Sequence, residues 1–295
     1  MISELHRVLM VITIFSFWFM GFLDESEANS LGILLVLTVG LIHGANDLRI
    51  IDTFTNGKKY NKQSQLVAYI LLVISTFLLF YIFPVTALII FLAFSCYHFG
   101  EQHWLAAHSK KSGVLSGFAF LYGLLIITMI LKFNISETIL VLKDLIGLDV
   151  APYLIDFIFY LSIFAFLILM YWVRRHITIG LNRFFKELFL LFLLGVIFKI
   201  SSLIWSFALY FTLWHAIPSL YSQIGILYGD RKSAGIITYI KHSFLYWSIS
   251  IIGLVAVIFL LKEKASWIVS IFFPFVAALT IPHVLAMSKM FKSNS

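Results

Sequence analysis

Residues Val85–Ala107 read VTALIIFLAFSCYHFGEQHWLAA. From Val85 to Ser95 no side chain can ionise, and the apolar residues fall on every face rather than on alternate positions. A barrel strand would alternate, so the run reads as a helix. At 1.5 Å per residue it reaches about 35 Å, enough to cross the hydrocarbon core of a bilayer. Its C-terminal third changes character abruptly, to Tyr97-His98-Phe99-Gly100-Glu101-Gln102-His103-Trp104. An apolar rod that ends in histidine and glutamate while still inside the membrane sets the two themes of the chain.

The rest of the sequence is built the same way. Of 295 residues, 61% are hydrophobic and 12% charged, and the mean hydropathy is +1.00. Soluble domains carry about 25% charged residues, so too little polar side chain is present to cover a water-facing surface. A soluble enzyme, a disordered tail and a secreted disulfide scaffold are excluded. Cys96 is the single cysteine, and one thiol forms no internal bridge. No repeat, low-complexity linker or second domain is visible, which makes residues 1–295 one integral-membrane unit.

Polar breaks divide the chain into ten apolar stretches near Val8–Leu23, Leu31–Ile50, Leu66–Phe83, Val85–Ala107, Val114–Leu131, Ala151–Val173, Phe184–Ile200, Leu203–Tyr228, Ser243–Leu261 and Ser266–Met287. The weakest breaks are at Pro84 and at Ser201–Ser202. If both termini are cytoplasmic, Arg7, Arg49, Lys58, Lys59, Lys62, Lys110, Lys111, Arg174, Arg175, Arg183, Lys186, Arg231, Lys232, Lys241, Lys289 and Lys292 face the cytoplasm. Only Lys132, Lys143, Lys199, Lys262 and Lys264 fall outside, a positive-inside bias that supports an even number of spans. The net charge of +7 is thereby explained without a nucleic-acid partner. The first stretch lacks a small-residue cleavage site and is crowded with Phe15, Phe17, Trp18 and Phe19, so it reads as a retained span. The expected fold is an all-α bundle of about ten transmembrane helices in a cell membrane, with both termini cytoplasmic.

Ionisable residues inside a membrane are costly and mark function by default. Four of the nine histidines (His6, His108, His176 and His242) lie at span ends or in loops beside basic residues. The other five, His43, His98, His103, His215 and His283, fall inside apolar stretches. They occupy the second, fourth, eighth and tenth spans, which all run from outside to inside, within a layer on the order of 10–15 Å thick. Packing histidines have no reason to share helix direction and depth. Asp47 follows His43 by one turn, on the same face, where it can bind metal or orient an imidazole. Glu101 shares a face with His98, whereas His103 is turned about 140° from His98. Pro218 and Pro282 stand close to His215 and His283, where a missing backbone donor can open the helix. Neutral imidazoles suit Zn, Cu, Fe or Ni, and a histidine-only set with open positions suits an Fe(II) that must still meet oxygen.

The set His43-Gly44-x-x-Asp47, Tyr97-His98-Phe99-Gly100, Trp214-His215 and Pro282-His283, spread over ten apolar spans, resembles the Brp/Blh family of membrane-bound β-carotene 15,15'-dioxygenases. The resemblance runs from the second span to the last. It implies iron-dependent cleavage of the central double bond of β-carotene with O2, giving two all-trans-retinal molecules, and a functional link to a microbial rhodopsin. The family's iron-binding histidines carry over to His43, His98 and His215. Many members have a further histidine where this chain has Ser219, and many have an acidic residue near the position of His103. The fourth iron ligand is therefore open between His103 and His283, with His283 favoured by depth and its neighbouring proline. Asp47, Glu101 and Ser219 are expected around the ligands. Tyr97, Phe99, Trp104, Tyr210, Phe211 and Trp214 are the aromatic residues that can line a tunnel for the polyene.

Two other classes compete with this reading. A histidine-dependent redox protein, with haem or other non-haem iron, needs only facing histidines, and a haem would show in the visible spectrum. The HxxxH and HxxHH clusters of di-iron desaturases do not occur. A proton-coupled transporter could use His43, Asp47, Glu101 and His215 as a relay, but the matched, Gly/Pro-interrupted helices of common transporter repeats are not seen.

Overall fold

The computed structural model describes residues 2–54, 61–105, 113–173, 181–229, 231–261 and 271–293. These residues are helical nearly throughout and contain no strand. Eleven helical rods follow in chain order: α1 (Ile2–Met20), α2 (Glu25–Phe54), α3 (Lys62–Ile82), α4 (Pro84–Leu105), α5 (Gly113–Phe133), α6 (Ile135–Ile146), α7 (Pro152–Val173), α8 (Leu181–Ile200), α9 (Leu203–Tyr228), α10 (Ser233–Leu261) and α11 (Phe273–Ser293). Eight of them, α2, α3, α4, α5, α7, α9, α10 and α11, are long and apolar enough to cross a membrane. The first and seventh expected spans are helices too, but fall outside these eight. In α8 the cause is charge, since Arg183, Lys186, Glu187 and Lys199 all lie on it. The ion-pairing α6 was not anticipated as a helix; its Glu137 Oε2 accepts from the backbone N–H of Leu203 and so helps to start α9. His108, His176, Lys58, Lys59, Lys110, Lys111, Arg174, Arg175, Lys262 and Lys264, together with the start of the tenth expected span, lie outside the described residues.

Helix boundaries follow local chemistry. Asp24 and Glu27 form a reciprocal capping box at the start of α2, satisfying two donors that a helix start leaves open. The break at Pro84 stands: Phe83 leaves helical conformation (φ −136°, ψ 66°) and the proline begins α4 at a position where its missing N–H costs nothing. Ser202 caps α9 by accepting from Trp205 N–H.

The centre of the bundle is set by the contact of α4 with α5. A methyl group at Gly100 would lie 1.7 Å from the carbonyl oxygen of Ala119, and one at Gly123 would lie 1.8 Å from that of Cys96. Cys96-x-x-x-Gly100 thus meets Ala119-x-x-x-Gly123 backbone to backbone, the small-residue packing that membrane helices use in place of a hydrophobic driving force. Gly40 on α2 plays a like role, since a Cβ there would lie 2.7 Å from the ring of Phe211 on α9. These approaches draw α2, α4 and α9 together around the histidines.

Among the described residues, α2, α4 and α9 each contain a whole widened π-helical turn, at Val36–Gly40, Glu101–Leu105 and Tyr210–Ala216. Each stands within a few residues of an in-membrane histidine or contains one. The turn in α9 has a legible cause. It ends with Ile217 N–H bonded to Thr212 O, directly before Pro218, which cannot continue the ladder.

Candidate metal centre

Four rods supply one histidine each to a closed ring. Ring centroids are 4.6 Å apart for His43 and His283, 5.1 Å for His283 and His98, 4.7 Å for His98 and His215, and 5.2 Å for His215 and His43. All four are at most 4% exposed. Donor atoms of His43, His215 and His283 lie within 4.8 Å of one another.

The hydrogen bonds at the rim decide which nitrogens face inward. His43 Nδ1 donates to the carbonyl of Gly40, inside the widened turn of α2. His283 Nδ1 donates to Asp47 Oδ1 at 2.7 Å, and the other oxygen of Asp47 accepts from Tyr69 OH at 2.9 Å. Both imidazoles are thereby held in the tautomer that leaves Nε2 with a lone pair. His43 Nε2, His283 Nε2, His215 Nδ1 and both nitrogens of His98 are buried without a hydrogen-bond partner. Buried polar atoms are nearly always partnered. Five orphaned imidazole nitrogens within one ring fit a bound cation, and a carboxylate behind a histidine is the usual support for such a ligand. The donor set is all nitrogen, which suits Fe, Zn, Cu or Ni rather than Mg or Ca.

Asp47 lies one turn from His43 in sequence, yet the residue it orients is His283. The chain makes a turn at Ala45–Asn46 within α2, which swings Asp47 toward α11 and exposes the carbonyls before it. Gln223 Nε2 donates to His43 O at 2.9 Å, and Tyr239 OH donates to Gln223 Oε1 at 2.7 Å. Asn46 Nδ2 donates to Ser243 Oγ at 2.6 Å, tying the turn to α10. Ser219 accepts from Gln223 Nε2 at 3.0 Å and so belongs to this support. Tyr69, Gln223, Tyr239 and Ser243 were not singled out by sequence reasoning. A buried glutamine in an apolar span was the available signal.

His103 is not part of the ring. It bonds to Glu187 at 2.8 Å, stacks on Tyr122 at 4.6 Å and lies near His6, with ring centroids 5.8 Å apart. His98 precedes the widened turn of α4 and His103 lies within it, on a different side of the rod. Glu101 accepts from Tyr97 OH at 3.1 Å.

Beside the ring opens an apolar cavity of about 630 Å³. His43, His98, His215, His283 and Asp47 all contribute to its wall, with Phe99 and Phe211 next to the histidines. Phe211 stacks on His215 with centroids 5.5 Å apart. The other aromatic residues expected in a tunnel do not line it. Trp104, Tyr210 and Trp214 are packed in the core instead, and Tyr97 is half-buried elsewhere. Trp214 points away because its Nε1–H donates to Thr13 of α1 at 3.0 Å.

A histidine ring that can hold a metal, placed beside an apolar cavity among membrane-length helices, defines a membrane protein suited to metal chemistry on a lipid-soluble ligand. A family model described as beta-carotene 15,15'-dioxygenase matches residues 34–291, and the chain belongs to that family. The matched segment covers most of the chain and contains all four histidines of the ring. No curated protein and no solved structure matches the chain.

Proposed function

We propose that this protein cleaves the central 15,15' double bond of β-carotene with O2, giving two all-trans-retinal molecules, with Fe(II) held by His43, His98, His215 and His283. The observation that carries the reading is a ring of four buried imidazoles with unpartnered nitrogens on the wall of an apolar cavity, of which His43, His215 and His283 bring donor atoms within 4.8 Å of one another. Family membership supplies the reaction class. When bound, Fe(II) supplies the redox chemistry that lets ground-state O2 react with a carbon–carbon double bond.

The chain's own part is placement and exclusion. The cavity wall is almost wholly hydrocarbon, so a polyene exchanges one apolar environment for another and water is kept from the reacting bond. Phe99 and Phe211 bracket the histidines and limit which segment of a long substrate can lie over them. Asp47 and Tyr69 hold His283, while Gly40 holds His43. The overall change places one oxygen atom on each half of the broken bond, and the two aldehydes need no proton from the protein. No side chain is therefore assigned as acid or base.

The reading includes a single membrane domain of ten spans with both termini cytoplasmic, located in the cytoplasmic membrane of a prokaryote. Its retinal product is the chromophore that a microbial rhodopsin requires.

The test is expression in bacteria that accumulate β-carotene, followed by pigment extraction. Loss of orange colour with appearance of retinal is expected. Unchanged carotene in cells containing folded, iron-loaded protein would falsify the reading. Replacing His43, His98, His215 or His283 by Ala is expected to abolish bleaching and lower the iron content of the purified protein.

A further inference from the structure

Most residues that line the cavity are buried or half-buried, as the wall of an internal chamber should be. Among the described residues five lining positions are exposed, and they sit on only two helices. Leu66 (37% exposed) and Ile70 (46%) lie on α3; Leu245 (62%), Ile249 (56%) and Gly253 lie on α10. A side chain that is on the cavity wall and on the outer surface at once marks a mouth. The spacing agrees: 66 and 70 are one turn apart on one face of α3, and 245, 249 and 253 follow at four-residue intervals on one face of α10. The mouth is thus framed by two apolar stripes, one from each helix.

Both helices are among those long and apolar enough to cross the membrane, so this mouth faces hydrocarbon rather than water. Gly253 leaves space in the frame: a Cβ built there meets nothing within 4 Å. Tyr69, between the two rim residues of α3, reaches inward to Asp47 and so fixes this edge of the opening against the histidine ring.

We propose that the gap between α3 and α10 is a lateral portal through which an elongated, apolar, membrane-dissolved polyene passes between the bilayer and the histidine ring. The inference rests on the dioxygenase reading for the identity of the polyene, and on the geometry alone for the route. A substrate of this chemistry is soluble only in the lipid, and a side opening spares it any passage through water. Helix α10, which carries no histidine of the ring, then serves as one post of the opening.

The portal is tested by narrowing it without touching the ring. In a Cys96→Ala background, Gly253→Cys supplies a thiol at the rim. Ile252→Cys supplies one on the neighbouring position, which is 67% exposed and does not line the cavity. Both variants are reconstituted in phosphatidylcholine vesicles and treated with pyrene maleimide. β-Carotene is supplied in the bilayer, and two readings are taken: retinal formed in air, and carotenoid retained after brief anaerobic loading and detergent extraction. Label at position 253 is expected to lower kcat/KM tenfold or more and to cut retention by a similar factor. Label at position 252 should change neither, and iron content should be the same in all samples. Equal behaviour of the two labelled proteins overturns the portal, as does an unlabelled protein that retains no carotenoid. Retention without any retinal in air overturns the dioxygenase reading and leaves the portal standing.

Discussion

Asp47 is the residue on which the histidine ring turns. Its hydrogen bond to His283 sets which nitrogen of that imidazole faces inward. Asp47→Ala is expected to weaken metal binding by about 10–100-fold, read as iron retained per chain through purification, with retinal formation falling in step. Tyr69→Phe removes the hydroxyl behind the carboxylate and should give a smaller loss of the same kind. His103 makes the opposite prediction. Its side chain and that of Glu187 are 2% and 8% exposed, and removing His103 leaves Glu187 buried with only the longer contact to Arg183 at 3.8 Å. His103→Leu should cost up to about 3 kcal/mol in stability, measured by thermal unfolding in detergent, while the iron content of the folded fraction stays that of the unchanged protein. A drop in iron with unchanged stability would place His103 among the ligands instead. The pattern of histidine depth pointed to five residues, His43, His98, His103, His215 and His283, and the family resemblance to three of them, His43, His98 and His215. What it left open was His103, because five residues separate it from His98 and only the position of α8, with Glu187, shows where that side chain goes.

At the scale of helices, the contact of α4 and α5 determines how closely the rods can gather. Gly100 and Gly123 each face a backbone carbonyl of the other helix at a distance no Cβ can share. Gly123→Leu is expected to push α4 and α5 apart and to lower the yield of folded protein, together with the metal content, because His98 rides on α4. Gly117→Leu on the same helix is the control, since nothing lies within 4 Å of its Cβ position. Yield and melting temperature in detergent distinguish the two. The glycines were visible in the sequence, but a glycine in an apolar helix carries no label that tells a close approach from an idle position. The widened turns were equally silent, apart from the one in α9. There Pro218 announced that the helix would open beside His215, and the wide turn ends just before it. In α2 and α4 the turns at Val36–Gly40 and Glu101–Leu105 have no proline to betray them.

For the whole molecule, the proposed orientation rests on charge. The positive-inside rule leads us to expect both termini in the cytoplasm, so a reporter enzyme active only outside should be inactive when fused after Ser295 and active when inserted near Gly147, in the segment between α6 and α7. The reverse pattern would invert the topology and put the histidine layer in the opposite leaflet. Eight of the ten expected spans are helices long and apolar enough to cross a membrane, and α8 falls outside them because it carries Arg183, Lys186, Glu187 and Lys199. Its charges are partly consumed within the protein, Glu187 by His103 and Arg183, and Arg183 by the ring of Trp104.

By itself, the sequence determined that this chain is a helical membrane protein with histidines at one depth, since hydrophobic length, charge placement and helical rise are properties of each segment alone. Only the tertiary structure decided which four histidines meet, that Asp47 serves His283 rather than His43, and that Trp104, Tyr210 and Trp214 fill the core while Phe99 and Phe211 face the cavity. Those outcomes depend on the azimuth of each rod about its own axis. Azimuth is set by backbone approaches at glycine, by one-residue shifts at widened turns and by hydrogen bonds between distant helices, and none of these is a property of any one segment.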